Sequence, residues 1–300
     1  MNELGRPIVA ASPDIALEPA TLQPSLLGRA WQHLIASPAA MFGGSIVLFW
    51  VLVALFAPWI SLYPPNAIDP ALVADPYPSA VHWLGVDHLG RDVWSRIAWG
   101  ARTVLTVAPA AVFGAAALGT LLGLWSGYRG GFVDRLVMRA GDTILAFPKI
   151  ILYLIVVAKF GASAFNIVAI IAVTQAPIIA RIVRAVTLDV KNRDYVAAAR
   201  MRGEGTLYIL LAEILPNARG PLLVDFFLRL GYTVIAIGVL GFLGVGLPPP
   251  DPDWGGMVKE TYGMIFVWPH MTLIPAAAIS SLVIGFNFLA TGLREAAHDG

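Results

Sequence analysis

DYVAAARMRGEGTLYILLAEILPNARGPLL, residues 194–223, interrupts a chain that is otherwise strongly apolar with an alanine-rich, charged segment that runs to a proline. What surrounds it decides the fold. Hydrophobic residues make up 58% of the 300 and charged ones 13%, with mean hydropathy +0.74. That composition excludes an ordinary soluble domain and defines a polytopic membrane protein. Crossing a bilayer as a helix takes about 18 or more mostly apolar residues. Such runs occur at 40–60, 103–125, 143–160, 165–184, 222–246 and 271–291, so the sequence predicts an all-α fold with six spans. The third and fourth runs flank a small turn at 161–164, the pattern of a helical hairpin. The quoted stretch is then the loop between spans four and five.

With six spans both termini share one side. Of the 20 lysines and arginines, fourteen fall on that side, five (Arg91, Arg96, Arg102, Lys159 and Lys259) fall on the other, and Arg229 sits inside the fifth span. Basic residues favour the cytoplasmic face, so both termini and the quoted loop are expected in the cytoplasm. That loop and its flanks carry seven of the fourteen, which makes the loop a candidate for docking a cytosolic partner. Residues 1–24 lack the basic start and apolar core of a cleaved signal and read as a loose tail. From 25 to 36, Leu26, Leu27, Ala30, Trp31, Leu34 and Ile35 recur at helical spacing opposite Arg29, Gln32 and His33, the pattern of a helix lying on the membrane surface. The expected organisation is a tail and surface helix at 1–37, a first span at 38–60, and an extracytoplasmic loop at 61–102. A five-helix core at 103–291 carries the docking loop at 189–219, and a cytoplasmic tail closes the chain at 292–300.

Within the quoted stretch Asp194 can cap a helix, and Tyr195, Ala198, Ala199 and Arg202 follow on one face. Gly203 should end it in a left-handed conformation. A second short helix can start at a Thr206 cap and run to Leu215, where Pro216 should stop it. Two short helices joined at a glycine make a bent, rigid protrusion.

Several functions are excluded or disfavoured. No cysteine is present, so disulfides, thiolate metal sites and thiol nucleophiles are impossible. The five histidines show no i,i+4 ligand spacing, and no metal site is expected. There is no GxxxxGK[ST] phosphate loop and no GxSxG, and no Ser/His or paired-carboxylate set stands in facing spans. An ion-coupled secondary carrier, the alternative reading, needs ionisable groups near the bilayer midplane. Asp225 and Arg229, at i,i+4 in the fifth span, are better read as a local ion pair with Arg229 snorkelling. Gly119, Gly123 and Gly127 recur every four residues and Gly238, Gly241 and Gly244 every three, small faces that suit packing within the chain or against a second subunit.

The spacing of the quoted stretch, with its paired alanines, its glycine and an Ile-Leu-Pro about eleven residues further on, resembles the "EAA" coupling loop of ABC importer permeases; Ala197 stands where that family usually has glutamate. Three further stretches resemble the permeases for dipeptides, oligopeptides and nickel: LGVDHLGRDVWSRIAWGAR at 84–102, GYRGGFVDRLVMRAGDTILAFP at 127–148 and FLGVGLPPPDPDWGGM at 242–257. The closing FNFLATGLREAAHD is similar to that subfamily's ending, with Ala290 and Thr291 departing, and the whole is similar to its second permease subunit. The resemblance implies the type I ABC importer permease architecture in a bacterial inner membrane. It implies a second homologous permease, two ATPases that bind ATP and magnesium, and an extracytoplasmic solute-binding protein as partners, with no cofactor in this chain and no nucleic acid. Asp194, Tyr195, Ala198, Ala199, Arg200, Gly203, Leu215 and Pro216 would form the ATPase-coupling loop. Asp87, Arg91, Asp92, Trp254 and Gly255 would form an outer gate or a binding-protein contact, with Trp254 and Gly255 on a lid stiffened by neighbouring prolines.

Overall fold

A computed structural model of the chain describes residues 37–248 and 251–298; the surface helix expected at 25–36 and the prolines at 249 and 250 lie outside the described residues. The first apolar run forms α1, Pro38–Ile60. Ser37 starts it by accepting from the Ala40 amide, and Pro38 sits in the first turn, where its fixed φ and missing N–H cost nothing. There follow α2 (Val93–Arg129), α3 (Gly131–Leu145), α4 (Lys149–Phe160), α5 (Ala164–Val190), α6 (Asp194–Met201), α7 (Thr206–Phe242), α8 (Trp254–Thr261) and α9 (Pro269–His298). Among the described residues the only β pairing is a single antiparallel bridge between Val86 and Asp92.

Five helices are long and apolar enough to cross a membrane, and α3 with α4 makes a sixth that is bent by 85°. The expected count of six is reached when this bent pair is taken as one broken span, where the sequence pattern implied one rod over 143–160. Pro148 accounts for the break, because a proline disfavours helical backbone in the residue before it and removes an N–H donor. The 12 residues of α4 reach only about 18 Å, short of the ~30 Å hydrocarbon core.

Three more boundaries differ from expectation. Residues 93–102, expected with the outer loop though helical in pattern, with Val93, Trp94, Ile97, Ala98 and Ala101 on one face, are the first turns of α2 itself, begun by Asp92, whose Oδ2 accepts from the Ser95 amide at 2.8 Å. Pro216 does not stop a helix. Residues 206–242 run on as one span, because the backbone widens into a π-helical segment at Ile209–Ile214 that lets the chain pass the proline. The Leu215 N–H donates to Leu210 O, five residues back. The tail expected at 292–300 is helical as far as His298.

The most extensive helix pair is α2 with α5. Gly119, Gly123 and Gly127 form its seam, where a Cβ on Gly123 would stand 2.5 Å from Ala180 O and 2.8 Å from Val183 Cβ. The glycine row thus packs within the chain. Gly238 faces Ile279 of α9, while Gly241 and Gly244 face Asp253 and Lys259 around α8. One buried cluster gathers Trp50, Ile97, Ile167, Leu240 and Trp254; a second joins Leu124, Val183, Val196, Ala199, Ile209 and Ile214. Phe49, Phe113, Leu121 and Phe165 remain exposed, as expected of side chains that face lipid.

Candidate functional site

The alternating helices put 130, 146–148 and 191–205 at the end where α1 starts and α9 closes, here the terminal end, and 61–92, 161–163 and 243–268 at the opposite, distal end. Each end holds one of the expected residue sets.

At the terminal end α6 begins after Arg193, whose extended backbone occupies the N-cap position. Asp194 is therefore the first helical residue and makes no cap hydrogen bond, although its charge still suits the positive end of the helix. Ala197, where the resembling family has glutamate, is accordingly the fourth residue of the helix. Thr206 shifts likewise, with Gly205 as the cap position. The buried face of α6 is Val196 and Ala199, both 0% exposed, rather than the face through Tyr195 and Arg202, which are exposed. Gly203 ends the helix at φ +80°. Its amide donates to Arg200 O at 3.0 Å and that of Glu204 to Ala199 O at 3.2 Å, the paired bonds of a Schellman motif.

The bend is pinned from several sides. Arg200 donates to Lys191 O at 3.1 Å and its guanidinium lies 5.2 Å from the Tyr128 ring centre. Tyr195 Oη accepts from Asn217 Nδ2 at 3.2 Å. Arg202 stands 3.6 Å from both Glu204 and Glu213. Ala198, Leu215 and Pro216 are half-buried. Yet the bend presents apolar side chains outward, with Met201 84% and Leu207 68% exposed, and Tyr208 beside them.

At the distal end Asp87, Arg91, Asp92, Trp254 and Gly255 are all buried. Trp254 and Gly255 do not lie on an exposed lid, because the indole fills a gap beside Gly100, meets Trp50 at 4.8 Å between ring centres and donates to Ile97 O at 3.0 Å. Gly255 lies against the Gly238 carbonyl, where no side chain fits. Asp92 holds His82 Nδ1 at 2.9 Å in addition to capping α2. Asp87 bonds Arg91 Nε at 2.7 Å and also Arg96, and both arginines reach Glu260 of α8. Burial alone would push the Asp87 carboxyl up, but Arg96 and Arg91, with the Leu89 and Arg91 amides, outweigh it and hold the carboxyl below its ordinary range. His88 lies close enough to Asp87 and Glu260 for the three to hold a cation. Two guanidinium groups already neutralise those carboxylates, which makes the cluster a charge lock joining the start of α2 to α8.

Within the membrane Arg229 pairs with Asp225 as expected. Its side chain does not snorkel: it is 7% exposed and lies 3.4 Å from Gln175 Oε1, while Gln175 donates to Thr233 Oγ1 at 2.8 Å. Sequence reasoning missed Val196, Arg96, Asp253 and Glu260. Val196 stands at i,i+3 from Ala199 and could have been found from that spacing. Glu260, which Arg96 binds in addition to Asp87, lies 164 residues away, beyond any local pattern.

Comparison with known proteins agrees with this architecture. Residues 119–298 match the family described as binding-protein-dependent transport system inner membrane component, and residues 25–76 match the N-terminal TM domain of oligopeptide transport permease C. The chain belongs to the binding-protein-dependent transport system inner membrane components: it is a permease subunit of an ABC importer and a multi-pass protein of the bacterial inner membrane. It is 40% identical over 266 residues to the glutathione transport system permease protein GsiD of Escherichia coli O157:H7, spanning 89% of this chain and 88% of that one. The GsiD of Shigella sonnei matches to the same extent, and that of Pectobacterium atrosepticum is 37% identical over the same shares. Nothing in these matches supports an ion-coupled carrier.

Proposed function

We propose that this chain forms half of a translocation path beside a second homologous permease, with both termini in the cytoplasm and α6 with the first turns of α7 docked on an ATPase subunit. Two such ATPases bind ATP and magnesium and carry out the hydrolysis. An extracytoplasmic binding protein delivers solute to the distal end. The relatives' names point to glutathione or a similar short peptide as that solute.

The observation that carries the reading is the bend around Gly203. It is held rigidly to α2, α5 and α7 by Val196, Ala199 and Ile214, yet it turns Met201, Leu207 and Tyr208 outward at the terminal end. Exposed apolar side chains on a polar loop mark a protein contact, and a rigid mount transmits its displacement to the spans. Because the chain has no cysteine, single-cysteine labelling tests this cleanly. Met201→Cys should react with an impermeant maleimide only from the cytoplasmic side and be protected when the ATPases are bound; Asp251→Cys should react only from outside. Reversed labelling overturns the orientation, and unchanged reactivity of Met201→Cys on ATPase binding overturns the docking role.

A further inference from the structure

A cavity of about 480 Å³ opens at the distal end between the close of α7, the start of α8 and the loop before α2, within the size range of small-ligand sites. Glycines shape one wall. A Cβ on Gly241 or Gly246 would meet Asp253 Oδ2, and one on Gly244 would meet the Lys259 ammonium, so the absence of side chains leaves both charged groups room at the wall.

Asp253 is 5% exposed. Its Oδ1 caps α8 by accepting from the Gly255 amide at 3.1 Å, but Oδ2 accepts no hydrogen bond within the chain. A buried carboxylate oxygen without a donor is costly. Burial pushes this carboxyl up to about 6, against the Gly255 and Gly256 amides, with Glu260 adding to the rise and Arg96 opposing it. Across the cavity Arg96 is also 5% exposed, and its Nε has no acceptor although its NH1 serves Asp87 and Glu260. Lys259 joins none of the ion pairs at this end among the described residues.

The lining thus offers an unsatisfied buried acceptor and an unsatisfied buried donor together, with the exposed Lys259 ammonium beside them. Its charges balance, with Arg91, Arg96 and Lys259 against Asp251, Asp253 and Glu260. A lone cation would face the three bases and a lone anion the three acids. We propose that this cavity binds a small zwitterion, an amino acid or short peptide with free ends, whose ammonium donates to Asp253 Oδ2 and whose carboxylate is received by Lys259 and Arg96 Nε. The inference rests on the permease reading and adds a place where this chain itself holds solute by its two termini. Burial of Asp253 against Gly241 and Gly246 favours a solute over the larger side of a docked protein.

The test uses the assembled transporter in membranes, carrying Ala162→Cys, an uncharged position in the cavity lining. Alanyl-alanine at about ten times its dissociation constant should slow maleimide labelling of that cysteine about tenfold. N-acetyl-alanyl-alanine and alanyl-alanine amide should protect poorly. Adding Asp253→Asn, which retains the Oδ1 cap, should abolish protection, and Lys259→Met should remove the discrimination against the amide. If either variant fails to insert, the capped peptides decide the matter on the otherwise unmodified chain. Equal protection by free and capped peptides, or no protection by any of them, overturns the proposal. Protection only when the binding protein is present overturns it too, since the occupant is then that protein. Glutathione uptake is measured in parallel. Uptake absent with protection intact refutes the solute named above and leaves the site standing, whereas uptake present without protection refutes the site alone.

Discussion

Gly203 sits at φ +80° with nothing within 4 Å of where a Cβ would go. A substitution there meets no clash, only the strain of a left-handed backbone, about 1–2 kcal/mol for a residue with a Cβ. That corresponds to a five- to thirty-fold loss in the population of the bent form. Gly203→Val is therefore expected to insert and pair with the second permease normally while ATPase binding weakens and transport falls. Transport equal to the unmodified protein would remove the coupling role from this bend. Gly203 was legible in the sequence because a glycine after an alanine-rich helical run has one cheap use. Asp194 was misplaced by one position because its charge suits the first turn as well as the cap. Trp254 read as part of an outer lid, since nothing near it in the chain announces Trp50 or the Ile97 carbonyl.

Among the helices, the α2–α5 seam depends on glycines that admit backbone. At Gly123 a Cβ would stand 2.5 Å from Ala180 O, and backbone cannot move aside as a side-chain tip can. Gly123→Leu should lower thermal stability in detergent by about 1–3 kcal/mol or more, the range for overpacked sites. Gly220→Ala, in open space, should leave it unchanged. Equal melting of the two variants would mean that the seam does not hold the pair together. The apolar runs revealed each long helix because membrane insertion demands continuous hydrophobicity. They could not reveal that α2 begins ten residues before its apolar part, since polar Asp92, Ser95 and Arg96 there are held by contacts with Asp87, Glu260 and the turn itself. Nor could they reveal the π segment before Pro216, which converts an apparent stop into a passage.

Over the whole molecule, the charge lock of Asp87, Arg91, Arg96 and Glu260 braces one end, and the Schellman bend at Gly203 is presented at the other. Long helices α2, α5 and α7 connect them. A displacement of α6 by a docked ATPase is in this geometry a displacement of the packed cluster containing Val196, Ala199, Ile209 and Val183, and so of the spans. The motifs at 84–102 and 242–257 were visible in the sequence as separate stretches. Their meeting at one site was not, since it depends on α2 and α8 being brought together by the fold. Transport is expected to be driven through this chain and not by it. Uptake of labelled glutathione into vesicles measures that directly, comparing this chain alone with the chain assembled with the second permease, the ATPases and the binding protein. ATP-driven accumulation is predicted only in the full assembly; accumulation by this chain alone, with ATP or with an ion gradient, would contradict the account.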